Sequence, residues 1–196
     1  MFTVNNHTVE MLVEKQSKFI AHLMPHSMYA EVLASLKTEH PKARHFVTAF
    51  RYINEFDQVV EGSSDDGEPR GTSGKPTLAV LQGQELINIA VITVRYFGGT
   101  KLGTGGLVRA YSDATNMVID ESELIGFQKE ERLQVACLYS DIGKVGYMLE
   151  KFAITTLEKS FDMEGEVLQL QAPQESLDAF LLEAGRLVKI KGDENV

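Results

Sequence analysis

The sequence predicts an α+β protein made of two units. The chain has 196 residues, which suits one large domain or two small ones. Its 43% hydrophobic fraction is high enough to build folded cores and excludes a wholly disordered chain. From about residue 129 the predicted elements follow the order β-α-β-β-α-β, the plan of a ferredoxin-like domain. We therefore expect domains at residues 1–128 and 129–196, with the boundary near residues 126–129.

Hydrophobic spacing and turn residues define the elements of the first unit. Period-2 patterns and apolar runs indicate strands, whereas spacings of three and four indicate helices. Ser27 is placed to cap the first helix, and Pro41 lies just beyond its end. In chain order we predict strands 8–14 and 18–24, helix 28–39, hairpin strands 45–53 and 56–61, a short helix 77–83, a buried strand 87–95 and helix 105–120.

The second unit shows the same two kinds of pattern in a shorter space. Asp141 is placed to cap its first helix. We predict a strand 132–139, a helix 142–151, strands 154–161 and 166–171, a helix 174–184 and a last strand 187–190.

Composition excludes several classes of protein. The net charge of −9 argues against coating nucleic acid by bulk charge. No uninterrupted apolar stretch reaches the length of a membrane-spanning helix, and the first residues lack the features of a secretory signal. Cys137 is the one cysteine, so no intrachain disulfide and no cysteine-based zinc site can form. We expect a cytoplasmic protein with no membrane partner and no cofactor.

A local excess of positive charge stands out against this acidic background. Residues 69–112 contain five cations and a single carboxylate, Glu85. This basic stretch coincides with two glycine-rich loops, which suits a specific contact with a polyanion. The five cations, which we expect to contact phosphates, are Arg70, Lys75, Arg95, Lys101 and Arg109.

The loop at residues 96–106 is a candidate anion-binding segment. Glycines let backbone N–H groups approach an anion closely, and the helix that follows adds its positive N-terminal end. Tyr96 and Phe97 offer flat surfaces for bases. The alternative is that the glycines only permit a tight turn between strand and helix. The candidate glycines are Gly98, Gly99, Gly105 and Gly106.

The other glycine-rich loop, at residues 62–76, contains three carboxylates in four consecutive positions: Asp65, Asp66 and Glu68. Oxygen ligands on a loop suit Mg²⁺ or Ca²⁺, but the segment lacks the ligand alternation of a calcium loop. A solvated acidic turn is therefore favoured over a metal site. If the protein is an enzyme, we expect these carboxylates to hold a metal and His45 to serve as a base.

Two long motifs resemble the signature of the IMPACT/YigZ family. They are Ser-Asp-Asp-Gly-Glu-Pro at 64–69 with Gly-Thr-Ser-Gly-Lys-Pro at 71–76, and the stretch Val-Arg-Tyr-Phe-Gly-Gly-Thr-Lys-Leu-Gly-Thr-Gly-Gly-Leu-Val-Arg-Ala-Tyr at 94–111. Family members often have alanine where Ser73 stands. The resemblance extends over nearly the whole chain, because bacterial members carry a second domain of this size.

This resemblance implies a fold that spacing does not reveal. It implies a first domain with a left-handed crossover, shared with a small-subunit ribosomal protein and the fourth domain of elongation factor G. The second domain is implied to resemble that factor's fifth, ferredoxin-like domain. Eukaryotic relatives are translation regulators, but their accessory domain differs, so their protein partnership is not carried over.

Three functions follow as hypotheses. The first is a non-enzymatic, translation-associated regulator that binds RNA or the ribosome, with a translation-associated protein as a further partner. The second is an enzyme acting on a small phosphorylated or anionic substrate. The third is a protein-interaction module that docks through its carboxylate-rich loop.

Overall fold

The structure, a computed structural model that describes residues 1–191, is a mixed α+β protein. The chain divides into two compact units, one of residues 1–127 and one that begins at Gln128. Each unit has a hydrophobic core of its own. Within the described residues, no helix combines the length and the apolar character needed to cross a membrane.

The first unit contains seven strands and three α-helices among its described residues. In chain order they are Phe2–Thr3 (β1), Thr8–Glu14 (β2), Ser17–Pro25 (β3), Tyr29–Glu39 (α1), His45–Ile53 (β4), Val59–Ser64 (β5), Gly74–Gly83 (α2), Ile89–Tyr96 (β6), Gly103–Asp120 (α3) and Ile125–Gly126 (β7).

Five of these strands form one sheet in the order β2-β3-β6-β4-β5, and all neighbouring strands are antiparallel. β6 lies at the centre, and its side chains alternate between two cores. Ile89 and Val91 pack with residues of α2 and α3, whereas Ala90 and Ile92 pack with residues of α1. The sheet is therefore covered on both faces, which explains the unbroken apolar run of β6.

The second unit has four strands and two α-helices among its described residues. They are Glu130–Leu138 (β8), Ile142–Lys151 (α4), Thr155–Phe161 (β9), Gly165–Pro173 (β10), Gln174–Ala184 (α5) and Val188–Ile190 (β11). The antiparallel strands lie in the order β11-β8-β10-β9. Its core is formed by residues such as Val135, Leu170 and Phe180, which are fully buried.

The predicted element types hold, but several boundaries move. α2 begins at Gly74 and not at residue 77, because Asp65 binds the backbone at its start. β5 begins at Val59 and not at 56, because Asn54 accepts hydrogen bonds from the N–H groups of Phe56 and Gln58 and forms a longer turn. The short strands β1 and β7 were not predicted, since two residues carry no periodicity.

Candidate nucleic-acid interface

Three loops meet at one end of the five-stranded sheet. Arg95, near the end of β6, lies opposite His45 at the start of β4 and opposite Phe19 near the start of β3. The loops around this end are residues 40–44, 65–73 and 97–102. The sheet register therefore gathers segments that are far apart in the sequence.

Arg95 lies inside this end of the sheet and not on its surface. Its side chain is 7% exposed, and its Nη1 donates a 2.6 Å hydrogen bond to Glu68 Oε1. The same Glu68 oxygen accepts a 2.9 Å hydrogen bond from the Tyr111 hydroxyl. Burial, together with the charge of Glu68, raises the pKa of Tyr111, so this hydroxyl stays a donor. Arg95 is thus held in a buried network, and in this structure it is not a free cation for phosphate.

Two aromatic rings flank the guanidinium of Arg95. Its Cζ lies 5.3 Å from the centre of the Phe19 ring and 5.8 Å from that of Phe97. Phe19 is fully buried, whereas Phe97 is 56% exposed. Cation–π contact thereby orients an aromatic ring that remains open to solvent.

Asp65 caps the start of α2. Its Oδ1 accepts hydrogen bonds from the N–H groups of Ser73 and Gly74 and from the Ser73 hydroxyl, and its Oδ2 accepts one from Gly71 N–H. Burial alone raises the pKa of Asp65, but these hydrogen bonds together outweigh it and hold the pKa below its ordinary value. Asp65 is therefore an ionised structural cap.

The three-carboxylate metal alternative is not supported, because the side chains point to different partners. Asp65 binds the start of α2, Asp66 Oδ2 accepts from Phe46 N–H at 2.7 Å, and Glu68 pairs with Arg95. No group of three or more potential metal ligands occurs within residues 1–191. The carboxylates instead fix the loop to the sheet.

Next to Arg95 lies a cleft of about 540 Å³ that carries exposed positive charge. We call it the basic cleft, lined by Lys42, Arg44, His45, Tyr96 and Phe97 together with Arg95. His45 Nδ1 donates to the Asp66 carbonyl at 2.9 Å, because a carbonyl can only accept. Within the described chain, no carboxylate lies at ion-pair distance from Lys42 or Arg44. Both are exposed cations.

A second cavity of about 330 Å³ shares Arg95 and Phe97 with the basic cleft. We call it the apolar pocket, because Pro69, Leu102 and Leu107 form much of its wall with Phe97. Lys101 and Thr104 add polar groups, and the Arg95–Glu68 pair lies at one side. The two cavities are therefore neighbours that meet at Phe97.

The remaining predicted cations do not join these cavities. Lys75 lines a separate groove with Gly71 and Val108, and Arg109 lines a small cavity with Glu14, Lys15 and Asp113. Arg70 is exposed but lines none of these cavities. The five cations of the basic stretch thus lie in different surroundings, and only Lys101 is both exposed and part of the paired cavities.

Tyr96 and the candidate glycines have mainly structural surroundings. The Tyr96 hydroxyl bonds His40 Nδ1 at 2.9 Å, and its ring packs with the core beneath α1. Gly98 N–H donates to Ser17 Oγ at 3.1 Å, so this group is already occupied. A Cβ on Gly106 would lie 3.0 Å from that of Leu102, whereas Gly99 and Gly105 have open space.

Lys42 and Arg44 were not predicted from the sequence as site residues. Both lie outside the basic stretch, in the loop between α1 and β4. The segment Lys42-Ala43-Arg44-His45 does concentrate positive charge, and that was the available signal. Only the pairing of β4 with β6 brings it beside residues 95–97.

Fold and site define an α+β protein of two units whose first unit joins a basic cleft to an apolar pocket. The family model described as Impact N-terminal domain matches residues 15–119. The chain belongs to the IMPACT family.

Several relatives extend this likeness over most of the chain. An IMPACT family member of Haemophilus influenzae is 38% identical over 89% of this chain and 88% of its own length. The Bacillus subtilis member YvyE is 32% identical over 84% of this chain and 77% of its own length. A solved structure described as a crystal structure of a hypothetical protein is 27% identical, covers 100% of this chain and 98% of its own, and has a TM-score of 0.71.

Proposed function

We propose that this protein is a translation-associated regulator that binds RNA or the ribosome through the basic cleft and the adjoining apolar pocket. The observation that carries the proposal is the set of exposed cations Lys42, Arg44 and Lys101. They lie beside the buried hydrogen-bonded network of Arg95 and Glu68. In a chain of net charge −9, such a set favours contact with a polyanion at one place.

The role of Arg95 in this proposal is positioning. Its charge is balanced by Glu68, and its guanidinium orients Phe97 between the two cavities. A fixed framework reduces the ordering cost of binding, so the exposed cations meet phosphates with less loss of entropy. RNA and the ribosome lie in the cytoplasm, and the proposal places the protein there.

We also propose for both units the elongation-factor-like folds that the resemblance implies. The connections β3-α1-β4 and β5-α2-β6 each join parallel strands across one intervening strand. They start from strands that are antiparallel to each other, cross the sheet in opposite directions and pass over opposite faces, and these three reversals together give the two connections opposite hand. This supports a left-handed crossover in the first unit, and the β11-β8-β10-β9 order supports a ferredoxin-like second unit.

The experiment is a binding titration with ribosomes and structured RNA at several salt concentrations. We expect saturable binding that weakens steeply with salt, as for any interface that neutralises phosphates. The variant Lys42→Ala/Arg44→Ala/Lys101→Ala should bind more weakly and lower the slope of log affinity against log salt by about 2 to 3.

A matched control removes the same charge elsewhere. Lys144→Ala/Arg186→Ala/Lys189→Ala changes three exposed cations of the second unit and should leave binding unchanged. Absence of saturable binding, or an equal loss in both triple variants, rejects the proposal. Affinity capture with and without nuclease then separates partners bridged by RNA from direct protein partners.

A further inference from the structure

We propose that the apolar pocket takes the base of one unpaired nucleotide of an RNA strand, stacked on Phe97, while the neighbouring phosphates lie along Lys101 and the basic cleft. This inference rests on the proposed function and adds the part of the RNA that is recognised. It assigns a ligand to a cavity beside Phe97 that charge alone does not explain.

The wall of the apolar pocket is suited to a flat, weakly polar group. Pro69, Leu102 and Leu107 form an apolar surface, and the Phe97 ring is 56% exposed. A free phosphate gains nothing from such a wall, because burying a charge against apolar groups is unfavourable. A base gains from it, since aromatic side chains and bases stack through their faces.

The Arg95–Glu68 pair also argues for a base at this point. Glu68 Oε1 lies 2.6 Å from Arg95 Nη1, and both side chains line the pocket. A phosphate placed against Arg95 would meet the Glu68 carboxylate, and the two negative charges would repel each other. A neutral base avoids that repulsion, so the phosphates belong farther out.

Positive charge lies on both sides of Phe97. Lys101 lines the apolar pocket, whereas Lys42 and Arg44 line the basic cleft across the shared residues Arg95 and Phe97. A strand that inserts one base beside Phe97 can place flanking phosphates at both groups of cations. A paired duplex keeps its bases stacked and cannot insert one without unpairing it, which costs a few kcal/mol.

The experiment compares an RNA decamer without self-complementarity with a blunt duplex of the same sequence, using wild type and Phe97→Leu. The leucine variant keeps apolar bulk and charge but removes the ring. We expect the single strand to bind more tightly than the duplex. Phe97→Leu should weaken single-strand binding by roughly 5- to 100-fold and leave duplex binding and the salt slope unchanged.

Two controls make this result specific. Phe56→Leu removes another exposed ring of the first unit, 72% exposed in the turn between β4 and β5, and should change nothing. Phe97→Tyr keeps an aromatic ring and should bind the single strand as wild type does. Mononucleotides at the same concentration test whether the pocket takes a free nucleotide, and we expect much weaker binding without the flanking phosphates.

A second measurement uses the unaltered protein. A decamer that carries 5-bromouridine should, on irradiation, cross-link to a peptide that contains Phe97. If the strand binds with dependence on Lys42, Arg44 and Lys101 but Phe97→Leu has no effect, this inference is wrong and the proposed function survives. If neither RNA nor ribosomes bind, both are rejected. A cross-link confined to the second unit also overturns the inference.

Discussion

Among single residues, Glu68 links the motif at 64–69 to the stability of the candidate site. Its side chain is 3% exposed and accepts from both Arg95 and Tyr111. Removing one member of a buried ion pair leaves the other charge without compensation. The Glu68 of the motif at 64–69 is therefore a requirement of the fold around Arg95, in addition to any contact with a ligand.

We predict that Glu68→Ala lowers the free energy of unfolding by about 3–5 kcal/mol, because it leaves Arg95 buried and unpaired. The variant Glu68→Leu/Arg95→Met/Tyr111→Phe removes all three polar groups and should recover most of that loss. Urea denaturation measures both. A triple variant that is as unstable as the single one would contradict this account of the network.

The surroundings of His22 lead to a prediction of how the stability of the fold depends on pH. It lies on β3, and its Nδ1 is 3.0 Å from Nε2 of His7, with His40 and Glu39 near enough to act on its charge. Burial, assisted by these two histidines, lowers the pKa of His22 from 6.5 to about 4. Between these values the unfolded chain binds a proton that the folded protein does not, so acid favours unfolding.

We therefore expect the free energy of unfolding to fall as the pH drops from about 6.5 to 4, by on the order of 2–3 kcal/mol from His22. The variant His22→Gln should lose less stability than wild type over that range. Denaturation at a series of pH values measures this, and NMR titration of the imidazoles should find His22 still neutral at pH 5. Protonation of His22 near pH 6.5 would refute the prediction.

The glycine-rich segment shows, at the scale of elements, that similar residues have different roles. Lys15 and Gln16 have positive φ values of 46° and 65° in the two-residue turn between β2 and β3. That turn lies directly against Gly98, where a Cβ would be 2.0 Å from Gln16 C. Gly105 in α3 has no neighbour within 4 Å of its Cβ position.

We predict opposite results for two alanine substitutions. Gly98→Ala forces the β2–β3 turn away from β6 and should lower the free energy of unfolding by about 1–3 kcal/mol. Gly105→Ala adds a methyl group in open space on a helix and should be neutral or stabilise by up to about 1 kcal/mol. Thermal unfolding of both variants measures the difference, and equal losses would be inconsistent with close packing at Gly98.

In the molecule as a whole, each of the two units has hydrophobic core residues of its own. The β1–β7 pair joins the start of the chain to the end of the first unit, and Phe127 N–H donates to the Met1 carbonyl. Leu36 and Leu107 belong to cores of the first unit, whereas Phe180 belongs to that of the second. This separation of cores suggests that the first unit is a domain.

We predict that residues 1–127 fold cooperatively without the second unit and retain the basic cleft. Circular dichroism should show a single unfolding transition, and amide exchange should find the strand β6 strongly protected. A chain of residues 1–127 that lacks cooperative unfolding would show that the domain division is wrong.

Local patterns predicted the kinds of element well. The apolar run of β6 is buried, and α3 buries Leu107, Ala110 and Tyr111, which recur at helical spacing. Met117 has the spacing of the same face but is 37% exposed. Spacing gives the face of a helix, but the edge of that face depends on what packs against it.

From the sequence alone follow the two-unit order, the acidic balance and two of the three loops at the candidate site, 65–73 and 97–102. Tertiary structure alone decided that Arg95 is buried against Glu68, that Asp65 caps a helix, and that Lys42 and Arg44 lie beside Phe97. The reason is physical: periodicity and charge counts report neighbours along the chain. Ion pairing, capping and cleft formation depend on strand register, which brings residues 45, 19 and 95 together across the sheet.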